Sequence, residues 1–182
     1  MAETVGKVYS TALFELCTEQ DKLESVFSGF TDFDELMRTD DCADYIKFLS
    51  SPLIAGREKA ESLNTVFGGR LEGLLLDFLC LVAEKGRADK LGEIYAEFRK
   101  MYNDEKNILE VTAITASPLT AELRKRLTDK LSKSTGRNIV LTEEVDKSII
   151  GGIVVRYGNT ELDSSVRTRL GKLKAQITNT IA

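Results

Sequence analysis

Residues 149–170 read IIGGIVVRYGNTELDSSVRTRL, and two different periodicities meet within them. The first half is rich in β-branched residues, which favour a strand, and Gly158-Asn159 is typical of a two-residue hairpin turn. Asp163 or Ser164 is expected to cap a helix that follows. Beyond it, apolar residues recur every three or four positions, which predicts one buried helical stripe: Val166, Leu170, Leu173, Ile177 and Ile181. The segment therefore predicts a hairpin followed by an amphipathic helix.

The glycine pair Gly151-Gly152 has two possible interpretations. Glycine within a strand marks a bulge or a close approach of another backbone. A phosphate-binding loop would need a following Gly-Lys-Ser/Thr and a helix that begins at the glycines, and the sequence has neither. We therefore expect a backbone role for this pair rather than nucleotide binding.

The first hundred residues show the periodicity of six consecutive amphipathic helices. The apolar stripe of the first helix is expected to face the core, as such stripes usually do: Val5, Val8, Tyr9, Ala12, Leu13 and Leu16. Asp21 and Glu24 predict a capping box for the second helix. The fifth helix, within residues 71–82, is apolar on more than one face, which indicates either a central position or an exposed docking face.

A polar run at residues 103–107 separates this half from the rest of the chain, and the domain boundary is predicted there. Residues 1–104 are predicted to form an antiparallel six-helix bundle. Residues 105–182 are predicted to form a small α+β domain with the order β-α-β-β-β-α. The fold class is therefore mainly α, with an α+β domain at the C-terminus.

Composition narrows the function. The chain of 182 residues has no histidine, which removes the commonest general base and metal ligand. Cys17, Cys42 and Cys80 are widely spaced, and buried reduced thiols are expected rather than a disulfide or a metal site. We expect no catalytic residue, cofactor or metal. An enzyme that uses carboxylates alone remains an alternative, although no suitable pair of acids is evident.

No apolar stretch approaches the roughly 20 residues of a membrane span. The start, Met1-Ala2-Glu3-Thr4, shows neither a signal peptide nor a transit peptide. The sequence therefore predicts no membrane-spanning segment and no targeting segment.

Charge is distributed unevenly along the chain. Residues 1–104 carry 12 Lys+Arg and 20 Asp+Glu, whereas residues 105–182 carry 13 and 9. The last helix contains only basic charges: Arg167, Arg169, Lys172 and Lys174. A nucleic-acid-binding module that uses this helix is one alternative, but no aromatic residues are interleaved to stack on bases. A solvated or protein-docking face is the preferred interpretation.

Three spaced motifs resemble the C-terminal signature of the delta subunit of the F-type (rotary) ATP synthase, a family related to the mitochondrial oligomycin sensitivity-conferring protein. They are Asp146-x-Ser148-x-x-Gly151-Gly152, Arg156-x-Gly158 and Asp163-x-Ser165-Val166-Arg167-x-x-Leu170. Tyr9-x-x-Ala12-Leu13-Phe14-Glu15-Leu16 and Ala83-Glu84-x-Gly86-Arg87 are similar to the family's first helix and to its junction between helices five and six. The resemblance thus extends along the whole chain.

This resemblance implies a non-catalytic peripheral-stalk, or stator, subunit that links the catalytic head to the membrane sector and resists the torque of the rotor. In the family, helices one and five form a groove for the N-terminal amphipathic helix of an alpha subunit. The corresponding positions here are Tyr9, Leu16, Phe78, Leu81 and Val82.

The C-terminal domain of the family holds the C-terminal ends of b-type stalk subunits. Its signature residues, structural or stalk-binding, are Gly151, Gly152, Arg156, Gly158, Asp163, Ser165, Val166, Arg167 and Leu170. The resemblance implies no nucleic acid and no small-molecule substrate. The implied location is the cytoplasmic face of a bacterial inner membrane, or the equivalent compartment for a mature organelle protein.

Overall fold

A computed structural model describes residues 4–158 and 160–181, and the side chains of 174–181 lie outside that description. The chain divides into two compact units, residues 1–102 and 103–182. The boundary predicted from the sequence, after residue 104, lies within the same polar run at residues 103–107. The sixth helix continues through the first three residues of this run and ends at Glu105.

Unit 1 contains the six predicted α-helices. Their bounds are α1 Val5–Glu19, α2 Leu23–Met37, α3 Ala43–Ser50, α4 Gly56–Phe67, α5 Gly73–Glu84 and α6 Leu91–Glu105. Short 3-10 turns precede α3 and α6. The core is built around Phe30, which is fully buried and contacts the rings of Phe33, Phe78, Tyr95 and Phe98. Aromatic side chains from three helices thus fill the centre of the bundle.

The buried stripe of α1 differs from the predicted one. Gly6, Ser10, Leu13 and Cys17 are buried, whereas Val8 is 51% exposed and Leu16 is 43% exposed. Three of the four buried residues are small, so α1 approaches its neighbours closely. A Cβ atom at Gly6 would lie 2.8 Å from Cγ of Glu93 on α6. Leu13 is the one large side chain in this buried stripe, whereas Val8 and Leu16 remain at the surface.

The predicted capping box at the start of α2 is absent. Asp21 has φ 55 and closes α1 instead, because its N–H donates to the Thr18 carbonyl and the Lys22 N–H donates to the Cys17 carbonyl. This pair of bonds is a Schellman C-cap, in which Asp21 takes the position that glycine usually occupies. Lys22 is the N-cap of α2, and its side chain forms no capping hydrogen bond to that helix.

Unit 2 has the predicted order β-α-β-β-β-α. Its elements are β1 Ile108–Thr115, α7 Ala121–Thr135, β2 Asn138–Val145, β3 Ile153–Tyr157, β4 Thr160–Asp163 and α8 Val166–Ile181. The sheet order is β2-β1-β3-β4, with β1 and β2 parallel and the other pairs antiparallel. The mainly α fold with a C-terminal α+β unit is thereby confirmed.

The two faces of this sheet differ in what covers them. Ile114 and Val154 pack with Ile149 from the connection before β3, which forms a small core on one face. On the other face, Arg124 of α7 forms an ion pair with Glu143 of β2. Since side chains alternate along a strand, residues in register with Glu143, such as Ala113 and Val155, share the α7 face.

Candidate partner-binding surfaces

The first surface lies where α1 and α5 pack side by side. The Tyr9 ring lies edge-on to the Phe78 ring, with 6.3 Å between centroids. Lys22, just after α1, pairs with Glu72, just before α5, at 2.6 Å. These two contacts show that α1 and α5 run antiparallel. The hydrogen bond from Lys22 also holds the pKa of the Glu72 carboxyl below its ordinary value.

The five predicted groove residues differ in the fraction of their surface that is exposed. Leu16 and Leu81 are 43% and 45% exposed, and Tyr9 is half-buried against the core. Phe78 retains only 8% of its surface, and Val82 retains none. Val82 therefore supports the surface from below and has no area to offer a partner.

Val8 is exposed, although its position in the apolar stripe of α1 predicted that it would face the core. It precedes Tyr9 and is 51% exposed. The signal that could have placed it correctly is the series Gly6, Ser10, Leu13 and Cys17, which has helical spacing. A stripe of small residues was overlooked because the larger apolar residues of α1 have nearly the same period.

The charges around Leu81 are mixed, with an excess of acid. Asp77 and Glu84 lie one helical turn before and after it, Lys85 lies four residues after it, and all three are exposed. Leu81 is thus an apolar residue between two carboxylates on one face of α5. Such a surface suits an amphipathic helix whose apolar stripe is flanked by basic residues.

The second group of predicted residues gathers where β4 meets α8. Gly152 has φ 83, and a Cβ atom there would lie 2.6 Å from the Ser164 carbonyl oxygen. The Val166 N–H donates to the Gly151 carbonyl, and the Ser164 N–H donates to the Ile153 carbonyl. The glycine pair therefore permits the close backbone approach that the sequence analysis expected.

The cap of α8 is formed by Ser165, one residue later than predicted. Its buried hydroxyl accepts from the Thr168 N–H at 3.2 Å. Asp163 acts beside it, accepting from the Ser165 N–H at 2.8 Å and from the Thr168 hydroxyl at 2.6 Å. These hydrogen bonds, that of Thr168 foremost, lower the pKa of Asp163 to about 2. Both residues named by the signature thus stabilise the start of the helix.

The remaining signature residues lie around this cap. Arg156 forms an ion pair with Glu161 on the neighbouring strand. Gly158 has φ 53 in the two-residue connection between β3 and β4, as the hairpin prediction requires, and its partner Asn159 lies outside the described residues. Asp146 accepts two hydrogen bonds from Ser148, which lower its pKa, and the nearby Arg167 lowers it further.

The apolar stripe of α8 is exposed where it is described, so its predicted burial is wrong. Val166, Leu170 and Leu173 are 38%, 53% and 54% exposed. Val166 lies close to the glycine pair, since a Cβ atom at Gly151 would be 3.4 Å from its Cγ2. The side chains of Ile177 and Ile181 lie outside the described residues. An amphipathic helix with an open stripe is a candidate for contact with another chain.

Membrane-spanning helices and metal-binding groups are both absent from the part of the chain that the structure describes. Within 4–158 and 160–181, no helix combines the length and the apolar character needed to cross a membrane. No group of three or more cysteine or acidic side chains in that part of the chain is arranged to hold a metal ion.

Comparison with known proteins agrees with the resemblance in the sequence. Residues 5–177 match the family model described as ATP synthase delta (OSCP) subunit. The chain is 30% identical over 182 residues to "ATP synthase subunit delta" of Clostridioides difficile, with 100% of both chains covered. It is 35% identical over 166 residues to the protein of that name from Fusobacterium nucleatum, with 91% of this chain and 94% of the relative covered.

The fold also has a counterpart among solved structures. A chain of the Toxoplasma gondii mitochondrial ATP synthase hexamer superposes with a TM-score of 0.74 at 24% identity, covering 97% of this chain and 98% of that one. At this identity the match supports the fold, while the family model and the bacterial relatives carry the assignment. The chain therefore belongs to the ATP synthase delta (OSCP) subunit family.

Proposed function

We propose that this protein is a non-catalytic stator subunit of an F-type ATP synthase, which links the catalytic head to the peripheral stalk and resists rotation of the head with the rotor. Unit 1 binds the N-terminal amphipathic helix of an alpha subunit, and unit 2 holds the C-terminal ends of b-type stalk subunits. The protein lies at the top of the catalytic head, on the cytoplasmic face of a bacterial inner membrane or in the equivalent organelle compartment, and reaches the membrane only through these partners.

The observation that carries this proposal is the apolar surface along α1 and α5. Leu16 and Leu81 keep 43% and 45% of their area exposed, although Phe78 and Val82 beside them are buried. These large apolar side chains are exposed on two packed antiparallel helices. An amphipathic helix can bind between two such helices. The acidic flanks at Asp77 and Glu84 favour a helix with basic flanks.

A holding function needs durable interfaces rather than a reactive centre. The described titratable groups with altered pKa values are explained by local structural contacts. Asp163 and Asp146 accept hydrogen bonds within a cap and a turn, which lower their pKa values, and burial raises the pKa of Cys17. The hydroxyls beside these two carboxylates, those of Thr168 and Ser148, donate to them and so help to hold the cap and the turn in place.

The proposal is tested by purifying the complex that forms around the tagged chain in detergent extracts of the source organism. We expect the alpha and b-type subunits to co-purify with the tagged chain. The ATP hydrolysis activity of the purified complex should belong to the catalytic head. A synthetic peptide with the sequence of the alpha-subunit N-terminus should bind the isolated chain. Recovery of nucleic acid instead of these subunits would favour the alternative function of the basic helix α8 and would contradict the proposal.

A further inference from the structure

Unit 1 contains an apolar cavity apart from the α1–α5 surface. The cavity has a volume of about 270 Å³ and lies between α2, α3 and the start of α6. Its lining includes four large apolar residues that are at most 9% exposed: Phe30, Phe33, Leu49 and Leu91. Protein cores are closely packed, so an apolar space of this size beside core aromatic rings is a candidate ligand site.

A glycine leaves one side of this cavity open. Gly92, the second residue of α6, lines the cavity and is exposed. A Cβ atom at this position would have no atom within 4 Å outside its own stretch of the helix, and the φ angle is not positive. Neither a close approach nor the backbone conformation therefore requires glycine here. What the missing side chain provides is free space at the edge of the cavity.

The polar part of the lining contains a carboxylate with a weakly held partner. Asp34 on α2 accepts a hydrogen bond through Oδ2 from Nε of Arg38 at 2.7 Å. The Asp34 side chain is only 12% exposed, whereas that of Arg38 is 68% exposed. In the part of the chain that the structure describes, Oδ1 of Asp34 has no partner. An exposed ion pair four residues apart contributes little to stability, so another cation can replace Arg38 at this carboxylate at small cost.

A second carboxylate lines the same cavity. Asp89, in the 3-10 turn before α6, lies 3.9 Å from Nζ of Lys90, and Glu93 shares that ammonium group at 3.8 Å. The described lining thus contains two acidic residues and one basic residue, Arg38. Residues 1–104 also carry 20 acidic and 12 basic residues. Local and overall charge therefore both favour a cation over an anion at the edge of the cavity.

We propose that this cavity binds a small cationic amphiphile, namely an aromatic or branched aliphatic amine. The apolar body lies against Phe33 and Leu91, and the ammonium group pairs with Asp34, assisted by Asp89. A cavity of about 150 Å³ accommodates benzene, so about 270 Å³ corresponds to a ligand of about eleven non-hydrogen atoms. The inference does not depend on the proposed function, because the described lining includes none of the five groove residues of the α1–α5 surface.

The test titrates the full chain into tryptamine, which joins an indole ring to an ammonium group and has about this size. The chain contains no tryptophan, so indole fluorescence excited beyond the tyrosine absorption reports on the probe alone. We expect saturable binding, with a rise in anisotropy and a blue shift as the indole leaves water. Indole-3-propionate has the same ring but a carboxylate, and it should bind at least about tenfold more weakly because the edge of the cavity is acidic.

Filling the open side tests the location of the site. Gly92→Leu should weaken tryptamine binding by about tenfold or more, because the new side chain occupies space that the ligand needs. Gly73→Leu is the matched control, since Gly73 is also exposed at the start of a helix and has no atom within 4 Å of its Cβ position, but it does not line the cavity. It should change the affinity by less than about twofold.

A change of charge tests the recognition of the amine. Asp34→Asn should weaken tryptamine binding by about fivefold or more, and it should strengthen indole-3-propionate binding, because Arg38 then lacks its carboxylate. Asp32→Asn, at an exposed position of α2 outside the lining, should do neither. A loss of fold would lower both affinities together, so opposite shifts identify a binding role. Thermal unfolding of each variant provides an independent check of the fold.

Several results would overturn the inference. Absence of saturable tryptamine binding at millimolar concentration, or equal affinities for the two indoles, would remove the amine site. Tryptamine binding that is unaffected by both Gly92→Leu and Asp34→Asn would place the probe elsewhere on the chain. Displacement of tryptamine by the alpha-subunit peptide would show that the cavity belongs to that interface. Binding of the peptide itself tests the proposed function separately, so the two can fail independently.

Discussion

The Tyr9 ring meets the Phe78 ring edge-on, 6.3 Å between centroids, and this contact joins α1 to α5 beneath the exposed apolar surface. Phe78 is almost fully buried, and Tyr9 is half-buried. The pair therefore belongs to the core and to the surface at once. Substitutions at Tyr9 are expected to lower both stability and partner affinity, so a cleaner test of the surface uses its exposed neighbours.

Leu81→Ala is expected to weaken binding of an alpha-subunit N-terminal peptide by about 1–3 kcal/mol, because apolar anchors in a helix-binding groove contribute in this range. Leu36→Ala is the matched control, since Leu36 on α2 is 44% exposed, against 45% for Leu81. Fluorescence anisotropy with a labelled peptide measures both affinities. Equal affinities for the two variants would remove Leu81 from the interface.

Gly152→Ala is expected to destabilise unit 2 by about 1–3 kcal/mol, because alanine is strained at positive φ and its Cβ would collide with the Ser164 carbonyl. Gly171→Ala should instead stabilise the chain by up to about 1 kcal/mol, since Gly171 lies within α8 with open space around it. Denaturant unfolding followed by circular dichroism compares the two. A neutral Gly152→Ala would mean that the loop relaxes without cost.

The start of α8 is expected to loosen only in strong acid. The folded pKa of Asp163 is about 2, below its ordinary value of 3.8, so the ionised carboxylate favours the folded state. Its contribution is present above pH of about 4 and is lost as the pH falls through about 2. Carboxyl and amide NMR signals of Asp163 and Ser165 should follow this course, and Asp163→Asn should abolish it. A titration midpoint near 4 would show that the cap is not formed.

Cys17 is expected to resist alkylation in the folded chain. Burial, and then the nearby Glu72 carboxylate, raise its pKa to about 11, and the side chain has no exposed area. Cys42, which is partly exposed, should react first with iodoacetamide. Peptide mass spectrometry after timed labelling resolves the three cysteines, and labelling of Cys17 should begin only when unit 1 unfolds. Rapid modification of Cys17 in native buffer would contradict the packing of α1.

A fragment of residues 1–105 is expected to fold by itself, because the large core cluster lies entirely between Leu13 and Phe98. It also keeps the last turn of α6, where Tyr102 stacks on Phe27 with 3.7 Å between centroids. A fragment that ends at residue 97 loses both Phe98 and Tyr102 and should not melt cooperatively. Circular dichroism on heating measures this, and a non-cooperative 1–105 fragment would argue against two independent domains.

The sequence predicted the order of the elements well, because helical and strand periodicities are local properties. The sequence predicted poorly which face of α1 is buried in the core. The core stripe of that helix is made of Gly6, Ser10 and Cys17 with Leu13, and small residues carry little hydrophobic signal. What decides the orientation is the close approach to α6 at Glu93, which is a tertiary contact.

The same limit applies to the caps and to α8. Asp21 satisfied the pattern of an N-cap, but the backbone bonds to Thr18 and Cys17 use it to end the preceding helix. The stripe that begins at Val166 has the period of a buried face, yet it is exposed. Periodicity shows that a face is apolar, but it does not show whether the same chain or another one covers it.

The hydrogen bonds that join α8 to the hairpin have a mechanical consequence. Val166 and Ser164 donate to the carbonyls of Gly151 and Ile153, so two neighbouring backbone bonds connect the end of β4 and the start of the helix to residues 151–153, where β3 begins. Tension along α8 would load both bonds together, and both must break before the helix separates from the sheet. Under a steady torque, two hydrogen bonds that share the force at the same time break more slowly than two bonds that are loaded one after the other. A chain that bears such a torque is therefore stabilised by this arrangement.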